Sequence, residues 1–211
     1  MSRTELRIKA ALRDSPVIGV DETGLRVAGG GGYIHVARTE RLTHYAFDMR
    51  RGKAAMDETG ILPRFTGTLV RDGFSSYMWY GQCRHSLCNA HLLRDLVFVE
   101  EVAPNQKVWT TPLSKLLLKI KSKVAEVNGE LDEPIKSGFL RLYDRLVKKA
   151  ASLNPPKSVA TGDALRNKSP AGPTPCSLIN LRNSSAGRPL DYLSLFLLTD
   201  AYTVLVNCGN H

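Results

Sequence analysis

Two apolar runs that each end in an aspartate constrain the fold of this chain more than any other feature. The run VIGVDETG carries Asp21, and the run TGTLVRDG carries Asp72. The β-branched and apolar residues ahead of each acid are typical of buried strands. If the two strands lie side by side, their carboxylates come close enough to hold a divalent metal against phosphate. The alternative is that each aspartate opens a turn, because Asp is common before Thr-Gly or Gly in turns.

The segments around the two acids predict a helix, three strands, a second helix and a fourth strand. A helix over residues 3–13 ends at Asp14, Ser15 and Pro16, and the chain continues as VIGVDE, LRVAGGGGYIHVART and RLTHYAFDMR. Their alternating pattern predicts an antiparallel meander with a hairpin turn at residues 29–32. Residues 53–61 form a short helical segment that Pro63 ends, before the strand that carries Asp72.

This order of elements is the opening half of a ribonuclease-H-like α/β fold, in which the first and fourth strands are neighbours. Asp21 and Asp72 would then hold Mg²⁺ or Mn²⁺ jointly, for nuclease or strand-transfer chemistry on a phosphodiester. A third carboxylate is usually needed to complete two metal sites.

The second half of the chain is predicted to be helical and then irregular. Helices are expected over residues 90–102, with Asn89 as the N-cap, and over residues 113–127 and 139–150. The lysines on the outer faces of the last two are interpreted as solvated, with DNA contact as the alternative. Ser, Asn, Pro, Gly and Leu dominate after Pro156, which predicts linker or disorder. We therefore divide the chain into an N-terminal helix (1–15), a catalytic core (16–104), a helical segment (105–154) and a linker with a divergent tail (155–211).

The charge balance favours a polyanionic partner. Lys and Arg outnumber Asp and Glu by 29 to 20, a net charge of +9, which points to nucleic acid, with solubility charge as the alternative. Four cysteines are too few and too unevenly placed for a disulfide framework, so a reducing compartment is expected. The sequence shows no signal peptide and no membrane span. These features predict a cytoplasmic, nucleoid-associated protein without a membrane partner.

The segment CRHSLCNAH holds Cys83, His85, Cys88 and His91 within nine residues. Such ligands would suit tetrahedral Zn²⁺ if the backbone converged them, although the spacing is not that of a standard zinc finger. The alternative is a structural junction, in which Cys88 and His91 pack or hydrogen-bond where a strand meets a helix beside the active centre. A Cys–His nucleophile pair is a third option, but no acyl-transfer signature accompanies it.

The strings VDETGLRVAG, HVARTERLTHYAF, RRGKAAMDETGILPRFTGTLVRDGFSSY and RHSLCNAHLLRDL together resemble the central domain of the insertion-sequence sixty-six family of bacterial transposases. The resemblance covers residues 8–156. It implies that Asp21 and Asp72 are the first two members of a DDE triad, and that Cys88 and His91 match a Cys-x-x-His motif found between the second and third acids. It also implies transposon-end DNA as a partner, with either a homo-oligomer or an intact transposase as the protein partner.

Several features depart from that family. Its members carry zinc-binding and DNA-binding regions ahead of the catalytic domain, and their third acid is the Glu of an Asn-Asn-x-x-Glu-Arg stretch. That stretch does not occur here, and no glutamate follows Glu133. The fallback candidates for a third ligand are Glu100, Glu101 and Glu126. The sequence therefore predicts a truncated transposase core whose tail follows either a change of reading frame or a rearranged end in a decayed element. DNA cleavage and strand transfer are its ancestral chemistry, and the chain is expected to carry out little or no transposition alone. A non-catalytic DNA-binding remnant and a zinc-stabilised module are the alternatives.

Overall fold

A computed structural model describes residues 2–27, 29–127 and 131–154, so the predicted tail over residues 155–211 lies outside the described part. In this part the helices are α1 (Arg3–Arg13), α2 (Lys53–Glu58), α3 (Asn89–Val102), α4 (Lys107–Val127) and α5 (Glu133–Leu153). The strands are β1 (Val17–Val27), β2 (Gly30–Arg38), β3 (Thr43–Asp48), β4 (Thr68–Arg71) and β5 (Arg84–Leu87). None of the described helices is long and apolar enough to cross a membrane.

The strands form one mixed sheet in the order β3-β2-β1-β4-β5. β1, β2 and β3 pair antiparallel, which confirms the predicted meander. β4 lies parallel to β1 on its other side, and β5 lies parallel to β4. The prediction that the first and fourth strands are neighbours is therefore confirmed. The described part of the chain is a mixed α/β fold with a five-stranded sheet and five helices.

The glycine-rich hairpin differs from the sequence prediction. Gly29, with φ of +84°, lies in the turn, but residues 30–32 belong to β2 and pair with residues 25–27 of β1. Asp21 consequently lies in the middle of a long strand, whereas the sequence predicted that it closes a short one. At Gly32 a Cβ would meet the ring of Phe47 on β3, so the ring in its present position needs a glycine there. Gly32 therefore has a packing reason in the sheet, which sequence pattern alone did not reveal.

Each face of the sheet has its own core, because successive side chains of a strand point to opposite faces. On the first face, Ile18 and Val20 of β1 and Leu69 of β4 pack with Leu12 of α1 and Met56 of α2. On the second face, a smaller cluster joins the strands to the start of α3, and its members are Val17, Val70, Cys88 and Ala90. Asp21 follows the alternation of the second face, and Asp72 follows Val70 just beyond the end of β4.

The three long helices form a separate hydrophobic cluster, whose buried members include Leu96, Trp109, Leu116, Ile120 and Leu146. α4 begins six residues earlier than predicted and contains Pro112, and α5 extends the predicted helix at both ends. The first turn of α4 is held by a local hydrogen bond from the Trp109 indole to Gln106 and by a bond from the Thr110 hydroxyl to Glu100 of α3. The N-cap of α3 is Cys88, and Asn89 is the first helical residue, which corrects the predicted cap.

Candidate active site

The parallel pairing of β1 with β4 positions the two aspartates. Gly19 is paired with Val70, and Asp21 and Asp72 each follow two residues later, Asp21 within β1 and Asp72 one residue beyond the end of β4. Adjacent strands lie about 4.8 Å apart, so the backbones of the two acids leave the β1–β4 pairing as neighbours at its carboxyl end. Asp21 follows the alternation of Val17 and therefore lies on the second face of the sheet, while Asp72 follows Val70 just beyond the end of β4.

Backbone amides orient both carboxylates. Oδ1 of Asp21 accepts a hydrogen bond from the Glu22 amide at 2.9 Å, and Oδ1 of Asp72 accepts one from the Phe74 amide at 2.9 Å. The second bond is the side-chain turn motif expected of an aspartate that leaves a strand. Asp72 therefore opens a turn, as one of the two alternatives drawn from the sequence predicted, and its part in a metal-holding pair stays a prediction.

Helix α3 brings two more polar groups to the second face. His91 lies in the first turn, and its Nε2 atom is 3.7 Å from Oδ2 of Asp21, whose side chain is 47% exposed. Asp95 follows one helical turn later and is half-buried. Burial raises the pKa of the Asp95 carboxyl, the neighbouring His91 and Arg94 lower it, and the negative charge of Asp72 raises it further. Asp95 is therefore electrostatically coupled to both Asp72 and His91.

Asp95 was missed in the sequence, although its position four residues after His91 on a predicted helix was a usable signal. The three glutamates proposed as fallback ligands lie elsewhere. Glu100 accepts hydrogen bonds from the hydroxyls of Thr110 and Thr111, and Glu126 pairs with Lys123. Glu101 is exposed in the last turn of α3.

A buried acid on the first face connects β1 to the loop after Asp72. The Glu22 side chain is fully buried and accepts hydrogen bonds from Arg51 at 2.7 and 2.9 Å and from the Tyr77 hydroxyl at 2.5 Å. Burial raises the pKa of Glu22, and burial together with the nearby carboxylates raises that of Tyr77. Arg51 also stacks over the Phe74 ring at 4.1 Å. This network holds the turn that Asp72 opens against the strand that carries Asp21.

The four residues of the Cys/His segment do not converge. The Cys83 thiol belongs to the first-face core and donates to the Phe65 carbonyl at 3.1 Å, and burial raises its pKa to about 11. His85 accepts from Arg71 at Nδ1 and donates from Nε2 to the Tyr80 carbonyl, each at 3.1 Å. Cys88 lies in the second-face core, and His91 faces Asp21. The four side chains therefore lie in different surroundings, and both the zinc site and the structural junction stay predictions.

The described residues contain no group of three or more His, Cys, Asp or Glu side chains arranged to hold a metal ion. Two carboxylates do suit Mg²⁺ or Mn²⁺, because these hard cations take oxygen ligands and are commonly held by one or two carboxylates together with substrate phosphates and water. The carboxylates of Asp21 and Asp72 therefore fit a metal ion whose remaining ligands come from substrate phosphates and water.

The fold and the site together define a mixed α/β protein with paired aspartates beside a histidine-bearing helix. The model of the family described as Transposase IS66 family matches residues 2–157, and the chain belongs to this family. The match ends next to Pro155 and Pro156, where the composition changes. No curated protein and no solved structure matched the chain.

Proposed function

We propose that residues 16–104 form the ribonuclease-H-like catalytic core of a DDE transposase, with Asp21 and Asp72 as its first two acids. The single observation that carries this proposal is the parallel pairing of β1 with β4, which ends two residues before each aspartate. Strand order supports the fold assignment, since three antiparallel strands are followed by a fourth beside the first. Membership of the transposase family supports DNA as the substrate.

The residues of this chain have separate tasks in the proposed site. Asp21 and Asp72 would hold Mg²⁺ or Mn²⁺, which when bound activates a water or 3′-hydroxyl and stabilises the leaving oxygen of a phosphodiester. The amides of Glu22 and Phe74 fix the two carboxylates through Oδ1. His91 lies beside Asp21 and limits its movement, and the Glu22–Arg51–Tyr77 network holds the Asp72 turn in place.

The proposed activity of this chain alone is weak. The proposal assigns two carboxylates to the metal, and the Asn-Asn-x-x-Glu-Arg stretch that supplies the family's third acid is absent from the sequence. Metal binding should therefore depend strongly on bound phosphate, and strand transfer by the chain alone should be slight or undetectable. Robust nicking of supercoiled DNA with Mn²⁺, abolished by Asp72→Asn, would overturn the proposal of weak activity.

Metal-dependent DNA binding tests the assignment of the two acids. Anisotropy of a labelled duplex should show that Mn²⁺ tightens binding to the wild-type chain but not to Asp21→Asn or Asp72→Asn. Asp132→Asn is the matched control, because Asp132 is exposed at the start of α5 and far along the chain from the site. Equal tightening in all four proteins would rule out the proposed metal ligands.

A second candidate is a DNA-binding remnant without catalysis, which the net charge of +9 favours. Binding to duplex DNA would then weaken steeply with salt and would not respond to metal, because released counterions supply most of the affinity. The same anisotropy titration, repeated at two salt concentrations with and without Mn²⁺, separates this candidate from the catalytic one.

A further inference from the structure

Strand β3 presents large apolar side chains to solvent at the edge of the sheet. Tyr45 is 67% exposed and Phe47 is 55% exposed, and Met49, just after the strand, is 62% exposed. Exposed apolar groups that cluster on one surface are typical of interaction sites. Edge strands are normally short or carry charged side chains, which discourage association with other chains. Exposed aromatic residues on this edge strand therefore indicate a binding surface.

The strand register places these aromatic residues on the same face as Asp21. Asp21 is paired with Val36 and Val36 with Tyr45, so one row of the sheet runs from the acid to the tyrosine. Residues directly opposite each other in antiparallel strands share a face. With strands about 4.8 Å apart, the backbone of Tyr45 lies about 10 Å from that of Asp21.

A second row carries Phe47. It runs from Thr23 through Ile34 to Phe47, parallel to the first row. The Phe47 ring lies across Gly32, in the space that a Cβ at that position would occupy, and its remaining surface is open. The glycine thus allows the ring to lie along the sheet, where a planar partner can stack on it.

Two cationic residues lie at the end of this surface where β2 turns into β3. Arg38 ends β2 on the second face, where it is paired with Thr43, and Arg41 is exposed in the turn between β2 and β3. Aromatic rings combined with basic side chains are the recurring features of surfaces that bind single-stranded nucleic acid, because every base has a face that can stack.

We propose that the second face of β2 and β3, formed by Ile34, Val36, Tyr45 and Phe47, binds unpaired bases of the DNA strand that reaches Asp21 and Asp72. This inference rests on the proposed function. The separation of about 10 Å corresponds to roughly three nucleotides at the rise of about 3.4 Å per stacked nucleotide. Bases next to the scissile phosphodiester are therefore within reach of Tyr45, so the surface would favour frayed or single-stranded ends over intact duplex.

The test compares binding of a short labelled oligo(dT) and of a blunt duplex in EDTA. The double variant Tyr45→Ala/Phe47→Ala should lose about thirtyfold or more in affinity for oligo(dT), since two stacked bases each lose one ring. Duplex binding should change by less than about twofold because phosphate contacts dominate it. Leu118→Ala is the matched control, since it removes an apolar side chain that is 49% exposed on α4. Tyr45→Phe keeps the ring and should retain wild-type affinity.

The results also separate the two proposals. If the wild-type chain fails to bind Mn²⁺ but binds oligo(dT) through Tyr45 and Phe47, the metal assignment fails and the stacking surface stands. If the double variant is folded by circular dichroism and binds oligo(dT) like the wild type, the stacking surface is overturned. A wild-type dimer that the double variant dissociates, with unchanged oligo(dT) binding, would overturn it in favour of a second copy of the chain as the occupant.

Discussion

The Nε2 atom of His91 on α3 lies 3.7 Å from Oδ2 of Asp21 in the middle of β1. This contact joins the helix that follows β5 to the strand that carries the first acid. The start of α3 is also fixed to the sheet by the packing of Cys88 and Ala90 against Val17 and Val70. Groups one turn further along α3 are consequently held near the acid pair.

The first prediction concerns Asp95, which lies in that next turn. Asp95→Asn should lower Mn²⁺ affinity about three- to tenfold, because a carboxylate coupled to the metal-holding residues supports the bound cation. It should also stabilise the metal-free protein slightly, because burial and the charge of Asp72 disfavour the carboxylate form. Calorimetric Mn²⁺ titration and thermal unfolding in EDTA measure the two effects. Glu101→Gln, on an exposed position of the same helix, is the control, and equal affinities for both variants would exclude a role for Asp95.

The second prediction concerns the buried hydrogen bond between Tyr77 and Glu22. Tyr77→Phe should reduce the free energy of unfolding by about 1–3 kcal/mol, because it removes a donor from a carboxylate that is fully buried. Urea unfolding measures the change. Tyr45→Phe removes a hydroxyl from an exposed ring and should change stability by less than about 0.5 kcal/mol.

A double-mutant cycle tests whether the two groups of this network act on each other. In a Glu22→Gln background, Tyr77→Phe should have a clearly smaller effect than in the wild type, because the charged acceptor is gone. An identical effect in both backgrounds would show that the loss comes from packing around Tyr77 and not from the hydrogen bond.

The third prediction is a pH dependence of stability that arises from His85. Burial and the positive charge of Arg71 lower the pKa of His85 from its ordinary value of 6.5. The folded protein then binds fewer protons than the unfolded chain, so the stability from His85 is present above 6.5 and is lost as the pH falls through the lower folded pKa. Unfolding free energies of the wild type and His85→Gln, measured from neutral pH downwards, should differ in slope, with the steeper decline in the wild type. Parallel curves would contradict a neutral, hydrogen-bonded His85.

The sequence predicted those parts of the fold that depend on local patterns. Alternating residues in β2 and β3 gave the meander, and apolar spacing gave α3, α4 and α5 with errors at their ends. Asp21 and Asp72 could be paired before the structure because each follows an apolar run, and the order of strands left few ways to arrange them.

The remaining parts depend on tertiary contacts. Glu22 and Tyr77 are separated by 55 positions and meet only after β1 and the Asp72 turn are in place. Asp95 joins the site because α3 packs on the second face, which no pattern within α3 specifies. Residues 30–32 were predicted to form a turn, but they belong to β2, where Gly32 lies against the ring of Phe47 from β3. Such features follow from the assembled sheet, and local periodicity does not encode them.

The central claim is that Asp21 and Asp72 hold one divalent cation together. The most direct measurement is a Mn²⁺ titration followed by electron paramagnetic resonance, with the full chain and a short DNA duplex present to supply phosphate. The account predicts that Asp21→Asn and Asp72→Asn each weaken Mn²⁺ binding at least about tenfold. The double variant should bind Mn²⁺ no more weakly than the single variant with the lower affinity. Asp132→Asn should bind Mn²⁺ like the wild type. Wild-type affinity in either Asp21→Asn or Asp72→Asn would contradict it.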